Sequence, residues 1–190
     1  AVTTTIGVYA FGACSEGQLG IPSLGDRDCI ETPTLISFLS SFPVHSLACG
    51  DRHSVALLST GQLFSWGDNE AGQLARDSRL STPLPIASLP PTAKIIKVTC
   101  GAQHTVCLGS NGEMFAWGAN SFGQCGSSSD FSVSVGVPRR VVTGDLGRKV
   151  VSDIACGSNS TMALTREGEV FVCGDNRWGQ LARDLPVKSA

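Results

Sequence analysis

The chain has 190 residues, 42% of them hydrophobic, with 14 Lys and Arg against 16 Asp and Glu for a net charge of −2. That length can bury a sizeable core, and the slight acidity argues against the basic face that an electrostatic grip on nucleic acid needs, so nucleic acid is not expected as a direct partner. No apolar run approaches the ~20 residues of a membrane span and no charged-then-apolar leader opens the sequence, so no membrane contact and an intracellular location, cytoplasmic or nuclear, are expected.

From the N-terminus, residues 6–11 read as an inner strand lacking its predecessors, and they run into Phe11-Gly12 and then Gly17-Gln18. A proline-bearing strand follows at Thr32-Pro33-Thr34-Leu35-Ile36. Next come Val44 to Ala48, closing on Cys49-Gly50, then Ser54 to Leu58, then Leu63 to Trp66, closing on Gly67 and followed by Gly72-Gln73 and the proline strand Thr82 to Ile86. The series recurs as Ile95 to Thr99 before Cys100-Gly101, Thr105 to Leu108, Met114 to Trp117 before Gly118, then Gly123-Gln124 and Val137 to Val141. It starts once more as Val150 to Ala155 before Cys156-Gly157, Thr161 to Leu164, Val170 to Cys173 before Gly174, then Gly179-Gln180.

The spacing is fixed. From Cys to the middle glycine (Gly61, Gly112, Gly168) is 12 residues each time, from Cys to the Trp position 17, and on to Gly-Gln 6 more. Periods of 55, 51 and 56 residues are those of a propeller or other repeat array. The segments are short, β-branched, aromatic or Leu-rich, and bounded by Gly, Asn and Ser, whereas helices would need longer runs with a 3.6 period. The middle glycines suit tight hairpins with positive φ, and those after Cys and Trp suggest crowded backbone near an axis. Proline cannot donate to a ladder, so the Pro33, Pro83 and Pro138 segments are expected to be the outer edge strands. The expectation is an all-β protein, a β-propeller of four-stranded blades forming a partial ring of about three and a half blades. Residues 1–190 form a single array, with a partial repeat at 1–42, repeats at 43–93 and 94–148, and a partial repeat at 149–190. Such a half ring leaves faces open that the remaining blades of a longer chain, or a second copy, would close.

The chain has eight cysteines. Cys49, Cys100 and Cys156 share one repeat position, Cys173 stands where Trp66 and Trp117 stand, and Cys125 stands where Leu19, Leu74 and Leu181 stand. These read as buried hydrophobic slots, reduced and without disulfides, in a reducing compartment. No Cys-x-x-Cys pair supports zinc. The sequon Asn159-Ser160-Thr161 is then idle.

His53 and His104 share a position that Ser160 fills in the third copy. A catalytic or metal pair would not tolerate Ser there, so rings bonded to nearby backbone are expected. Asp51, Asp68, Asp153 and Asp175 invite a carboxylate-pair reading, but Asp68-Asn69 and Asp175-Asn176, like Ala119-Asn120, precede Gly-Gln and read as turn residues. Arg139-Arg140 and Arg148-Lys149 read as solvated loop charge, and His45, outside the frame, as solvent-facing. No phosphate-cradling loop, nucleophile elbow or His-Glu-x-x-His is present. Hence no catalytic, cofactor-binding or metal residue is assigned, and no cofactor is expected. The slot just before Gly-Gln varies within a fixed surround: Glu16, Ala71, Phe122, Trp178. The aromatics Phe122 and Trp178 are the candidate partner-binding residues, against the alternative that they pack on a neighbouring blade.

The frame Cys-Gly-x-x-His-Ser/Thr, then Gly, then Trp-Gly-x-Asn-x-x-Gly-Gln-Leu resembles the repeat of the regulator of chromosome condensation family over nearly the whole chain. The resemblance implies a seven-bladed propeller, which needs roughly twice this length. It also implies a non-enzymatic protein-interaction scaffold, as in members attached to kinases, ubiquitin ligases or ciliary proteins. Two other jobs follow from the founding member: guanine-nucleotide exchange on a Ran-like small GTPase, and chromatin docking. The wedge hairpin implied for exchange has no counterpart in the short, polar stretches 21–31 and 127–136.

Overall fold

A computed structural model describes residues 7–22, 28–77, 79–126, 132–142 and 144–182. Thirteen strands follow one another among them. β1 (Tyr9–Ala13) pairs with β2 (Cys29–Leu35). β3 (Val44–Cys49), β4 (His53–Leu58), β5 (Leu63–Gly67) and β6 (Leu80–Pro85) form a four-stranded antiparallel sheet in chain order. β7 (Ile95–Cys100), β8 (His104–Gly109), β9 (Met114–Ala119) and β10 (Ser134–Arg140) form a second, and β11 (Val151–Gly157), β12 (Ser160–Thr165) and β13 (Val170–Gly174) a three-stranded third. The meanders are propeller blades, so the protein is an all-β partial ring.

The proline-bearing strands β2, β6 and β10 are the outer strands of their sheets, where a missing N–H costs no ladder bond. Gly61, Gly112 and Gly168 turn the hairpins with φ of 89°, 83° and 84°. The innermost strands are joined sideways across blades: the Asp51 N–H donates to the Ala102 oxygen at 3.1 Å, and the Ala102 N–H to the Ser158 oxygen at 2.8 Å. Gly101 is needed in this ring because a Cβ there would stand 2.7 Å from the Gly157 oxygen and closer still to the His104 ring.

Three differences from the sequence reading have physical causes. β1 begins at Tyr9 rather than residue 6, which lies outside the described residues. It is a third-position strand, since Phe11 and Gly12 fall where Trp66 and Gly67 fall. Short 3-10 turns at Ser37–Ser41 and Gly144–Arg148, each burying one leucine (Leu39, Leu146), plug the gap between one blade's edge strand and the next blade's first strand. All eight cysteines are free, but Cys49 is exposed and Cys100 and Cys156 are only half-buried. They end the innermost strands, where Cys100 and Cys156 pack against the rim of the core while Cys49 meets solvent. Cys107 and Cys125 are buried, and burial pushes the Cys125 thiol up to about 12. Parts of the 21–31 and 127–136 stretches, namely 23–27 and 127–131, and the terminal residues 183–190 lie outside the described residues.

Both ends of the array expose apolar faces. Phe11, at the tryptophan position, is 63% exposed, against 2% for Trp66. Val170, equivalent to the buried Leu63 and Met114, is 64% exposed, and Met162 and Leu164 are open beside it. Such faces seek cover. The isolated 190-residue chain is therefore expected to self-associate at micromolar concentration. Sedimentation velocity checks this, and a monomer that persists across the concentration range would contradict it.

Candidate interaction face

In each antiparallel blade the first strand ends and the third strand ends at the same edge, because His53 pairs with Gly67, His104 with Gly118, and Ser160 with Gly174. The axis turns (Gly50 to Arg52, Gly101 to Gln103, Gly157 to Asn159) and the Gly-Gln turns thus share one face of the ring.

The Gly-Gln turn is built the same way four times. The Gln side-chain oxygen accepts the main-chain N–H two residues back, at Glu16, Ala71, Phe122 and Trp178, with distances of 2.9, 2.9, 3.0 and 2.9 Å. Asn69, Asn120 and Asn176 accept the N–H of Leu74, Cys125 and Leu181 at 2.9, 3.0 and 2.9 Å. Gly72 takes φ of +78°, and a Cβ there would stand 2.7 Å from the Gly136 Cα on the next blade's edge strand.

With the turn fixed, the Gln main-chain oxygen points into the next blade. Gln18 oxygen accepts from the Ser54 hydroxyl and the Trp66 indole N–H, both at 2.9 Å. Gln73 oxygen accepts from the Thr105 hydroxyl at 3.1 Å and the Trp117 indole N–H at 2.8 Å. Gln124 oxygen accepts from the Thr161 hydroxyl at 2.7 Å, with the Cys173 thiol at 3.6 Å.

The histidines extend this clamp. His53 Nε2 lies 3.0 Å from the Thr105 hydroxyl, and His104 Nε2 3.0 Å from that of Thr161. Each hydroxyl proton goes to a carbonyl, so the hydroxyl oxygen accepts and Nε2 carries the imidazole proton. The sequence reading expected backbone partners; His104 has one at Ser160, and each ring also meets a side-chain hydroxyl one blade on. Nδ1 of each ring is buried without a partner. Burial, and then the nearby His104, pull His53 down to about 4 against the opposing Asp68. Burial lowers His104 to about 4 as well. The rings are neutral and structural.

The carboxylates do not form a catalytic pair. Asp68 accepts the Glu70 N–H at 3.2 Å and the Gln73 amide at 3.1 Å. Asp175 accepts the Arg177 N–H at 3.0 Å, and the Arg177 guanidinium holds its carboxyl below the usual range. Asp153 pairs with Lys97 of the neighbouring blade, and Asp51 is exposed. Arg140 pairs with Glu113 at 3.0 Å, Lys149 with Glu169 at 2.7 Å, and His45 is exposed. Among the described residues no group of three His, Cys, Asp or Glu could hold a metal, and no helix is long and apolar enough to cross a membrane.

The variable slot is what the turn displays. At one end Glu16 joins Arg79 at 2.9 Å, Arg79 also reaches Asp68 at 3.3 Å and pairs with Glu70, and Arg52 stands 3.8 Å from Glu16. At the other end Phe122 is 40% exposed and Trp178 89% exposed. The Arg177 guanidinium lies 4.8 Å from the Phe122 ring centroid, which draws the two aromatic turns into one strip. Sequence reasoning missed Arg177, although it is the residue next to the Trp178 slot.

Blades of one repeat, joined edge-on by main-chain clamps, define a repeat-built β-propeller domain. The RCC1-like domain model matches residues 7–189, and the chain belongs to that family. It is 35% identical over 188 residues to the human E3 ubiquitin-protein ligase HERC2, covering 96% of this chain and 4% of the ligase. It is 32% identical over 201 residues to human Protein RCC2, covering 95% of this chain and 38% of RCC2. The solved structure of Prp20p from Saccharomyces cerevisiae superposes with a TM-score of 0.84 at 28% identity, covering 97% of this chain and 45% of that one. The chain thus spans less than half the length of each of these relatives.

Two outcomes are expected of the clamp. Replacing Trp66 by Ala removes a buried indole and orphans part of the Gln18 acceptor, and should cost about 3–5 kcal/mol, read as a loss in urea unfolding; unchanged stability would place the indole elsewhere. The second is a pH dependence. Unfolded imidazoles titrate near ~6.5 and the buried pair near 4. Between those values the unfolded chain binds protons that the folded chain refuses. Stability is therefore full above ~6.5 and falls as the pH drops toward 4, by on the order of 3 kcal/mol for each ring at most. Urea midpoints should fall across this window, and the double variant His53→Gln/His104→Gln should flatten the profile.

Proposed function

We propose that this domain is a non-enzymatic interaction scaffold that binds a protein partner on its Gly-Gln turn face, with Phe122, Arg177 and Trp178 as the central contacts. The single observation behind this reading is the exposed Trp178 beside the Phe122–Arg177 pair, on turns whose backbone is held rigid. Exposed Trp and Arg on a rigid support match the composition of interface hot spots, because little side-chain entropy is lost on binding. An intracellular location, cytoplasmic or nuclear, accords with eight free thiols.

A second reading is exchange on a Ran-like small GTPase. Its support is the likeness to Prp20p, whose structure is described with its binding to Gsp1p and histones. Exchange requires tighter binding of the nucleotide-free GTPase than of the loaded form. The histone-docking side of that likeness fits a net charge of −2 poorly if the contact is to DNA, and better if it is to basic histone surface.

A photo-crosslinking residue placed at position 178 tests the proposal, with one at exposed His45 as control. A defined protein adduct is expected at 178 and not at 45. Binding of that purified protein should weaken at least tenfold in Trp178→Ala, in line with a loss of about 2 kcal/mol, with no change in unfolding midpoint. Equal affinity in the variant would overturn the assignment. If the adduct is a small GTPase, release of a fluorescent guanine nucleotide then separates exchange from scaffolding.

A further inference from the structure

The side chain in the variable slot of a Gly-Gln turn is met by an arginine of the next blade. All four slots hold their main chain by the same bond to the Gln side chain, at 2.9 to 3.0 Å, so each side chain leaves its turn from an equivalent place. Glu16 stands before the blade of β3–β6, and that blade meets it with Arg79 at 2.9 Å and Arg52 at 3.8 Å. Phe122 belongs to the blade of β7–β10, and the next blade meets it with Arg177, 4.8 Å from the ring centroid. Ala71, between them in the series, carries only a methyl group.

A carboxylate and an aromatic ring have one attraction in common, that for a cation. The first acts through its charge and the second through the negative face of its π system. In both turns the slot takes a guanidinium. Trp178 continues the series with the best of the aromatic cation acceptors, and at 89% exposure its ring is open to solvent. The charge of the adjacent Arg177 is offset by Asp175. Arg177 Nε stands 3.0 and 3.1 Å from the two carboxylate oxygens, and a terminal nitrogen stands 2.9 Å from one of them. A second cation can therefore approach the indole without facing an unbalanced like charge.

We propose that Trp178 receives an arginine side chain of the protein partner, with the guanidinium stacked over the indole face. The inference rests on the reading that a partner lands on the Gly-Gln turn face. Arginine fits this position better than lysine, because its planar, weakly hydrated head stacks on a ring. The partner is then basic at the point of contact, which suits a chain of net charge −2.

A random peptide library displayed on phage tests this, panned against the 190-residue chain and counter-panned against Trp178→Ala. The side chain is exposed, so the variant should keep its fold, read as an unchanged urea midpoint. Peptides retained by the wild-type chain alone are expected to be enriched in arginine. In a synthetic copy of one such peptide, citrulline in place of that arginine keeps the shape and removes the charge. Its binding should be weaker by at least about threefold. Trp178→Phe, which keeps a ring, should bind the arginine peptide with an affinity between those of wild type and Trp178→Ala. Trp178-dependent peptides without arginine enrichment overturn the inference, and so does equal affinity of the citrulline peptide. Either result leaves the scaffold reading standing if the adduct at position 178 forms. Recovery of no Trp178-dependent peptide also overturns the inference, whereas the scaffold reading itself falls only when no adduct forms at position 178.

Discussion

The structure depends on one buried acceptor, the main-chain oxygen of the Gln in each Gly-Gln turn. Blade faces are apolar, and apolar contact alone is non-directional; two sheets pressed together by Val55, Leu57, Phe115 and Trp117 could slide. The Gln73 oxygen removes that freedom by taking a hydroxyl proton and an indole proton from the next blade at 3.1 and 2.8 Å. A buried carbonyl left without its donors costs roughly 1–3 kcal/mol, so every slipped arrangement is penalised. The Gln side chain contributes by closing its own turn, which holds the main-chain oxygen on target. Side chain and main chain of one residue thus do different jobs, and neither is available for binding or chemistry.

The histidines follow from the same requirement. Thr105 spends its proton on the clamp, which leaves its oxygen as an acceptor, and the neutral His53 ring fills it at 3.0 Å. A protonated ring would bury a charge beside His104 with no carboxylate partner on its second nitrogen. Burial and mutual proximity therefore keep the pair neutral, and its repeat in two successive blades reflects packing rather than a reaction.

Much of this was legible in the sequence because a repeat prints each structural requirement several times. Cys-to-Gly and Cys-to-Trp spacings located the strands, Pro33, Pro83 and Pro138 located the outer edges, and the Asn-x-x-Gly-Gln series located the turns. What one repeat does to its neighbour was not legible, since spacing within a period carries no information about contacts between periods. Hence the His53–Thr105 bond across 52 residues was read as a backbone contact, and Cys49 was read as core when it is exposed. The Phe122–Arg177 approach joins two periods in the same way, and no pattern within either turn announces it.

The departures from the repeat are the more informative positions, because the frame supplies a control for each. Ala71 shows what a Gly-Gln turn needs at its variable slot, which is only a main-chain N–H; everything that Glu16, Phe122 and Trp178 add beyond it is surplus to folding. At Glu16 the surplus is satisfied internally by Arg79 and Arg52. At Trp178 the indole meets solvent over most of its surface, and desolvating it is the gain a partner would collect. Cys173 is the converse case, a position where Trp66 and Trp117 define what the seam needs and the residue falls short of it. One end of the array thus carries an indole that its frame does not require, on the outer face, and a thiol inside the seam where the other two seams carry an indole. Both lie in the last repeat, whose outer side has no neighbouring blade among the described residues. The chemistry specific to this chain is concentrated there, while the first two seams carry the rigidity that presents it.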